Sequence, residues 1–364
     1  MSTKITYKIL IAFCLVFVFF TFHHEGTTFA EESTLSEASI IIDGQPIKTK
    51  YLMREGNLLV PALFIKHTGV KVDHNEQYGS MVFSYGGTMF ALPVGKNYSD
   101  DLIGNIRSWI RRPLATFTVE INDEVFVPLV DVVRKFDMDV AYNHEKQQTS
   151  ITTKIPHAQN RISRGNPERK LVALTFDDGP DSYYTPQILD ILKEKNVRAT
   201  FFVMGQQVEH YPNIMKRIVE EGHGIANHTW SHPQLPQVMT SQLKEEVTTT
   251  QNIMQRTVGR RPDLFRPPFG ALTKSDALVL QEMGMRNIMW TVDTLDWSGL
   301  SAEEILAIVH RDISPGGIIL QHNFQPHAPT ARLLDGSVEA LPQIIDDLRA
   351  KGYQFVTVQT LLAN

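Results

Sequence analysis

The sequence predicts an α/β protein: a distorted (β/α) barrel of about seven strands, preceded by a smaller α+β domain with an internal repeat. Three observations carry this expectation. From residue 170 onward, unbroken apolar runs alternate with amphipathic helical patterns, as parallel strands covered on both faces require. Before residue 154, one pattern of strand, Val-Pro, short helix and strand occurs twice. Between them lies a polar stretch with Pro156, Gly165 and Pro167 that lacks periodicity.

The chain has 364 residues, enough for two domains. At its start, Lys4 and Lys8 precede an uncharged apolar run over 9–22, and small or polar residues follow to Thr28-Phe29-Ala30. This is the layout of a secretory signal peptide cleaved after Ala30. The run is shorter than the roughly 20 apolar residues of a spanning helix; a retained membrane anchor is the alternative. The expected location is therefore outside the cell or on its wall. The single cysteine, Cys14, lies in this segment, so any metal bound beyond it must be held by His, Asp or Glu. Residues 1–30 carry Lys4, Lys8 and Glu25; without them the 35 basic and 40 acidic side chains become 33 and 39. That balance offers nothing to nucleic acid.

The repeat begins with Asn57-Leu58-Leu59-Val60-Pro61, an apolar run, and Val70-Lys71-Val72-Asp73-His74-Asn75. It returns as Glu124-Val125-Phe126-Val127-Pro128, then Met138-Asp139-Val140-Ala141-Tyr142-Asn143, with a further β-like stretch after each copy at 80–84 and 149–153. This region resembles the copper-amine-oxidase N-terminal-like domain of secreted bacterial proteins, which implies a wall-associated accessory module. His67, His74 and His144 are too scattered to hold copper, and surface or core roles suit them better.

The apolar runs at 171–175, 199–203, 224–227, 264–266, 287–292, 317–321 and 354–358 read as strands. Helical patterns fall at 186–195, 212–221, 241–257, 274–283, 302–311 and 338–351. Barrels gather their chemistry at the C-terminal ends of their strands, and five polar motifs stand there in succession. Thr175-Phe176-Asp177-Asp178-Gly179-Pro180 joins two carboxylates that repel unless a cation or Arg offsets them; a plain polar turn is the bland alternative. His228-Thr229-Trp230-Ser231-His232 spaces two imidazoles at i and i+4, a separation that lets both reach one ion from a helical turn. With Asp178 as third ligand they suit zinc and leave room for water. Arg266-Pro267-Pro268-Phe269-Gly270 is a rigid turn able to fix backbone N–H groups. Asp293-Thr294-Leu295-Asp296-Trp297 and Leu320-Gln321-His322 close two further strands, where a lone His is more often structural than catalytic.

Together these motifs resemble the polysaccharide deacetylase family, carbohydrate esterase family 4, over roughly residues 170–364. The resemblance implies a metal-dependent hydrolase that removes N-acetyl groups from amino-sugar polymers such as peptidoglycan or chitin-like glycans. It implies one divalent ion, Zn²⁺ or alternatively Co²⁺, on Asp178, His228 and His232. Asp177 would be the general base, held by Arg266, and His322 the general acid, oriented and raised in pKa by Asp296. Phe269 would offer a backbone N–H to the oxyanion, with Trp297 and Leu320 walling a pocket for the acetyl methyl. Many members carry Tyr where this chain has Phe269, which puts substrate contacts at that point in doubt. The expected organisation is a signal peptide over 1–30, the accessory domain over 36–153, a linker over 154–169 and the catalytic domain over 170–364, in a monomer whose partner is wall glycan. An O-acetyl xylan esterase and a non-catalytic wall-glycan-binding protein are the competing readings.

Overall fold

The computed structural model describes residues 35–104, 108–327 and 331–363; the expected signal segment lies outside them. Among the described residues, no helix is long and apolar enough to cross a membrane.

The two copies of the repeat pair with each other. Strand Asn57–Pro61 runs antiparallel to Glu124–Pro128, with Val60 opposite Val127. Each proline closes its strand and fixes φ where a helix starts: the 3₁₀ turn Ala62–Thr68 follows Pro61, and the α-helix Leu129–Arg134 follows Pro128. After these helices the copies diverge. Strand Lys71–Asn75 opens a five-stranded antiparallel sheet, whereas Asp139–Asn143 pairs with Gln148–Thr152 inside a seven-stranded one. Phe83, Val127, Leu129 and Val132 lie fully buried in the core that results.

The second region is a parallel sheet in the spatial order Arg161–Ile162, Arg286–Ile288, Leu264–Phe265, Gly224–Asn227, Thr200–Val203, Leu171–Asp177, Gly317–His322 and Val292–Asp293. Strand Gln354–Phe355 adds beside Leu171–Asp177. Among the described residues no ladder joins the first strand to the last, so the barrel is open along one seam. Three expectations need correction. The stretch read as an irregular linker contributes the edge strand Arg161–Ile162. The run at 287–292 is two strands, because the guanidinium of Arg266 takes the carbonyls of Ile288 and Met289 out of the ladder. The last strand stops at Phe355, and the chain turns into helix Val358–Ala363.

The period of two along a strand decides what reaches the barrel mouth. Leu171 and Ala173 pack in one core cluster with Phe202, Ala226, Leu264, Ile288 and Ile318. Val172, Leu174 and Phe176 pack in another with residues of the surrounding helices, such as Ile188, Leu189 and Ile344. Continuing the first parity by twos leads from Ala173 to Asp177, from Ala226 to His228, from Leu264 to Arg266 and from Ile318 to Leu320 and His322. One alternation thus brings five motif residues to the same end of the barrel interior.

The N-terminal region is bonded into this rim. Lys66, completely buried, lies 2.7 Å from Asp276, itself 1% exposed. Val72 N–H donates to Thr240 Oγ1 at 3.0 Å, and Lys274 reaches Asp43 and Thr153 at 2.7 Å each. Met239 and Leu278 of the barrel pack on the core of the N-terminal region.

Candidate metal centre and catalytic cleft

Asp177 ends its strand beside His322 in register on the neighbouring strand. Its Oδ1 accepts from Arg266 Nη1 at 2.7 Å, and the same nitrogen donates to Thr175 Oγ1 at 2.9 Å. Arg266 is completely buried, with its guanidinium 3.9 Å from the centre of the Phe202 ring. Its Nε and Nη2 donate to the Ile288 and Met289 carbonyls, which holds it in place beside Asp177.

Asp178 Oδ1 lies 3.2 Å from His228 Nε2 and 3.3 Å from His232 Nε2. Among the described residues, these three side chains are the group of His, Cys, Asp or Glu able to converge on one ion. They do not come from a helical turn as the i, i+4 spacing suggested. Residues 228–232 form an irregular loop in which Thr229 and His232 adopt positive φ. The loop is held from outside. Glu246 Oε2 accepts from the N–H groups of Trp230 and Ser231 at 2.7 and 2.8 Å, and His232 N–H donates to Thr229 Oγ1 at 3.0 Å.

The donor set fits a divalent cation. His228 Nδ1 donates to the Arg266 carbonyl at 2.8 Å, which fixes the tautomer and leaves the Nε2 lone pair facing Asp178. Asp178 Oδ1 is accordingly buried without a hydrogen-bond partner, a costly state unless a cation satisfies it. Burial pushes His232 down to about 4, so its imidazole is neutral, as ligation requires.

His322 stands across the cleft. Its Nδ1 donates to Asp296 Oδ1 at 2.7 Å, and its backbone N–H to Asp296 Oδ2 at 2.8 Å. Burial works against the imidazolium, but the completely buried Asp296 carboxylate, together with Asp178 and Asp177, outweighs it and His322 is raised to about 9. Asp296 opens a 3₁₀ turn set by Leu295 at φ 55°. Asp178, Thr229, His232, Phe269 and Leu295 all carry positive φ around this mouth. For residues other than glycine each costs roughly 1–3 kcal/mol, a pattern typical of sites where geometry matters more than stability.

The cleft measures about 500 Å³ and takes in Asp177, Asp178, His228, His232, Leu320 and His322. Phe269 and Trp297, each about half exposed, form its rim, whereas Leu320 is buried in its wall. Gly270 is required beside Phe269: its φ is +65°, and a Cβ there would stand 2.8 Å from Trp290. Gly179 is equally constrained, since a Cβ would overlap the Asn323 amide that receives its N–H.

Sequence reasoning missed His327, whose ring stacks on Phe269 with centroids 5.8 Å apart and meets His232 edge-on at 5.7 Å. A second His five residues beyond His322, beside Pro326, was the available signal. It also missed Glu246, which nothing local marks as a loop-holding residue.

A family model described as polysaccharide deacetylase matches residues 164–288, and one described as copper amine oxidase N-terminal domain matches residues 41–151. The chain is 45% identical over 190 residues to a peptidoglycan-N-acetylglucosamine deacetylase of Bacillus cereus, covering 52% of this chain and 67% of that protein. It spans about half the length of several other curated relatives, named as deacetylases of peptidoglycan N-acetylglucosamine or N-acetylmuramic acid. Among solved structures, the Bc1960 peptidoglycan N-acetylglucosamine deacetylase aligns with a TM-score of 0.54 and 41% identity, over 56% of this chain and 94% of that one. A Bacillus anthracis protein described as a CE4 family pseudoenzyme aligns at 0.51 and 28% identity, over 61% of this chain and 76% of that one.

Proposed function

We propose a deacetylase chemistry for this cleft from one premise: the chain belongs to the polysaccharide deacetylase family, carbohydrate esterase family 4. Its substrate is an N-acetylated amino sugar of a wall glycan, and its products are acetate and a free amine. Membership alone does not decide turnover, since one relative is described as a pseudoenzyme. The observation that carries the reading is the orphaned Asp178 Oδ1 between two imidazoles, beside a second carboxylate pinned by Arg266.

Asp178, His228 and His232 would hold a divalent ion, Zn²⁺ or alternatively Co²⁺. A divalent ion bound there would supply Lewis acidity toward the acetamide carbonyl and a lowered pKa for water. Asp177 accepts the proton of the attacking water. Arg266 fixes Oδ1 and so orients Oδ2, which stands 3.8 Å from His228 Nε2. The backbone N–H of Phe269 donates to the oxyanion; losing one such donor typically costs about 10²–10³ in rate. His322, charged and oriented by Asp296, gives its proton to the sugar nitrogen as the C–N bond breaks. Leu320 and Trp297 receive the acetyl methyl. The reading includes export, supported by Lys4, Lys8 and the apolar run after them, and wall association of a monomeric protein through residues 36–153.

Mass spectrometry of muropeptides, chitooligosaccharides and acetylated xylan after incubation with metal-loaded protein tests the proposal. Loss of acetyl groups from the amino sugars is the expected result. Preferential loss from xylan identifies an O-acetyl esterase, and calorimetric glycan binding without acetate release identifies a non-catalytic binder.

A further inference from the structure

We propose that Lys66, in the N-terminal region, is a positioning residue for the deacetylase site, tying the loop that carries His232 to the loop that carries Phe269. The proposal rests on the deacetylase reading for its catalytic consequence and on geometry alone for the tie.

An ammonium has three N–H donors, and Lys66 Nζ faces three oxygens at 2.7 Å: the carbonyls of Leu235 and Val238 and the carboxylate Oδ1 of Asp276. Leu235 comes three residues after the ligand His232, in a 3₁₀ turn, Leu235–Gln237, that packs against Phe265, the residue before Arg266. Asp276 comes seven residues after Phe269. It closes a capping box with Thr273, whose N–H and hydroxyl donate to Asp276 Oδ2 at 2.9 and 2.7 Å. The metal-ligand loop and the Phe269 loop therefore converge on a single cation supplied from outside the barrel. The barrel's own contacts do not replace it, because the Leu235 and Val238 carbonyls would face a buried carboxylate across the same gap. Like partial charges there push the loops apart.

A purely adhesive pair would have no reason to act through loop carbonyls. The interface also contains such a pair, Lys71 with Glu282, whose nearer oxygen is 2.6 Å away and whose side chains are partly exposed. It touches neither loop.

The test uses the full chain. Lys66→Met with Asp276→Asn removes both charges while keeping an amide oxygen to cap Thr273, which avoids leaving a buried charge alone. Reacting groups displaced by about 1 Å lose about 10²-fold in rate. The double variant leaves the Leu235 and Val238 carbonyls without their donor, so it is expected to fold with a lower melting temperature and, at a temperature where it is fully folded, to show kcat at least tenfold lower, KM within about threefold, and altered d–d absorption when loaded with cobalt(II). Lys71→Ala is expected to leave all three unchanged. Wild-type kcat and spectrum in the folded double variant, or an equal loss in Lys71→Ala, would overturn the proposal. Hydrogen exchange in the metal-free wild type decides independently of any variant. Slow exchange through residues 229–238 and 271–276 is expected, and fast exchange there beside a protected 224–227 strand contradicts the tie. Absence of acetate release by the wild type would sink the deacetylase reading, leaving the spectrum and exchange to judge Lys66.

Discussion

His322 and Asp296 show how one residue pair sets a pH dependence. In the proposed chemistry the acid form must be present to protonate the leaving nitrogen, and it is lost as pH rises through the pKa. Held at about 9 by Asp296, Asp178 and Asp177 against the pull of burial, His322 without a cation nearby is charged throughout the neutral range. A cation held by Asp178, His228 and His232 would repel the imidazolium, so the alkaline limb of kcat in the metal-loaded protein is expected below 9. Asp296→Asn removes the nearest of the attractions that oppose burial, and the limb is expected to move further toward acid, with kcat at pH 8 reduced roughly 10²–10⁴-fold, the usual range for losing a general acid. A pH–rate profile checks this. An unchanged limb in the variant would show that Asp296 does not govern the acid. At this scale the sequence was informative: each strand-end Asp, His and Arg was visible, and counting by twos from the apolar residues would have told which point inward. Phe269 and His327 were less legible, because both sit on loops where no period fixes the side-chain direction.

Elements hold these residues through bonds that sequence spacing does not announce. The loop 228–232 was expected as a helical turn, but the N–H groups of Trp230 and Ser231 turn outward to Glu246 on helix Thr240–Val258. A carboxylate that accepts from two backbone donors substitutes for the helical pattern and frees both imidazoles to face Asp178. Groups that orient metal ligands in this way typically change affinity about 10–100-fold when removed. Glu246→Ala is therefore expected to weaken zinc or cobalt binding by that factor with little change in secondary structure, as measured by competition with a chelating dye; unchanged affinity would mean that the loop is set by Thr229 and His232 themselves. The split of the 287–292 run has a similar origin. Its apolar pattern was continuous, yet a guanidinium from the adjacent strand end claims two of its carbonyls, and only the folded arrangement reveals that competition.

At the scale of the whole molecule, alternating strands and helices predicted the barrel well because both periodicities are local. The way the two regions meet was not readable. Lys66 looks like one polar residue in the short run Ala62–Thr68, and its partners lie far along the chain, beyond any repeating pattern. A fragment beginning at residue 154 would lose this cation, along with the apolar cover over Met239 and Leu278. Losing that apolar cover and the bonds of Lys66 to Leu235, Val238 and Asp276 removes stabilising contacts from the barrel, so the fragment is expected to melt below the full chain by calorimetry. Equal melting temperatures would show that the barrel does not depend on the region before it.

The proposed chemistry requires a metal ion on Asp178, His228 and His232 and a neighbour, Asp177, that handles protons without holding the ion. Metal content and acetate release measured together on wild type, Asp177→Asn and His228→Ala test that division most directly. One ion per chain in the wild type and in Asp177→Asn, turnover in the wild type alone, and neither property in His228→Ala is the predicted result. Wild-type acetate release by Asp177→Asn, or full metal content with normal turnover in His228→Ala, would contradict it.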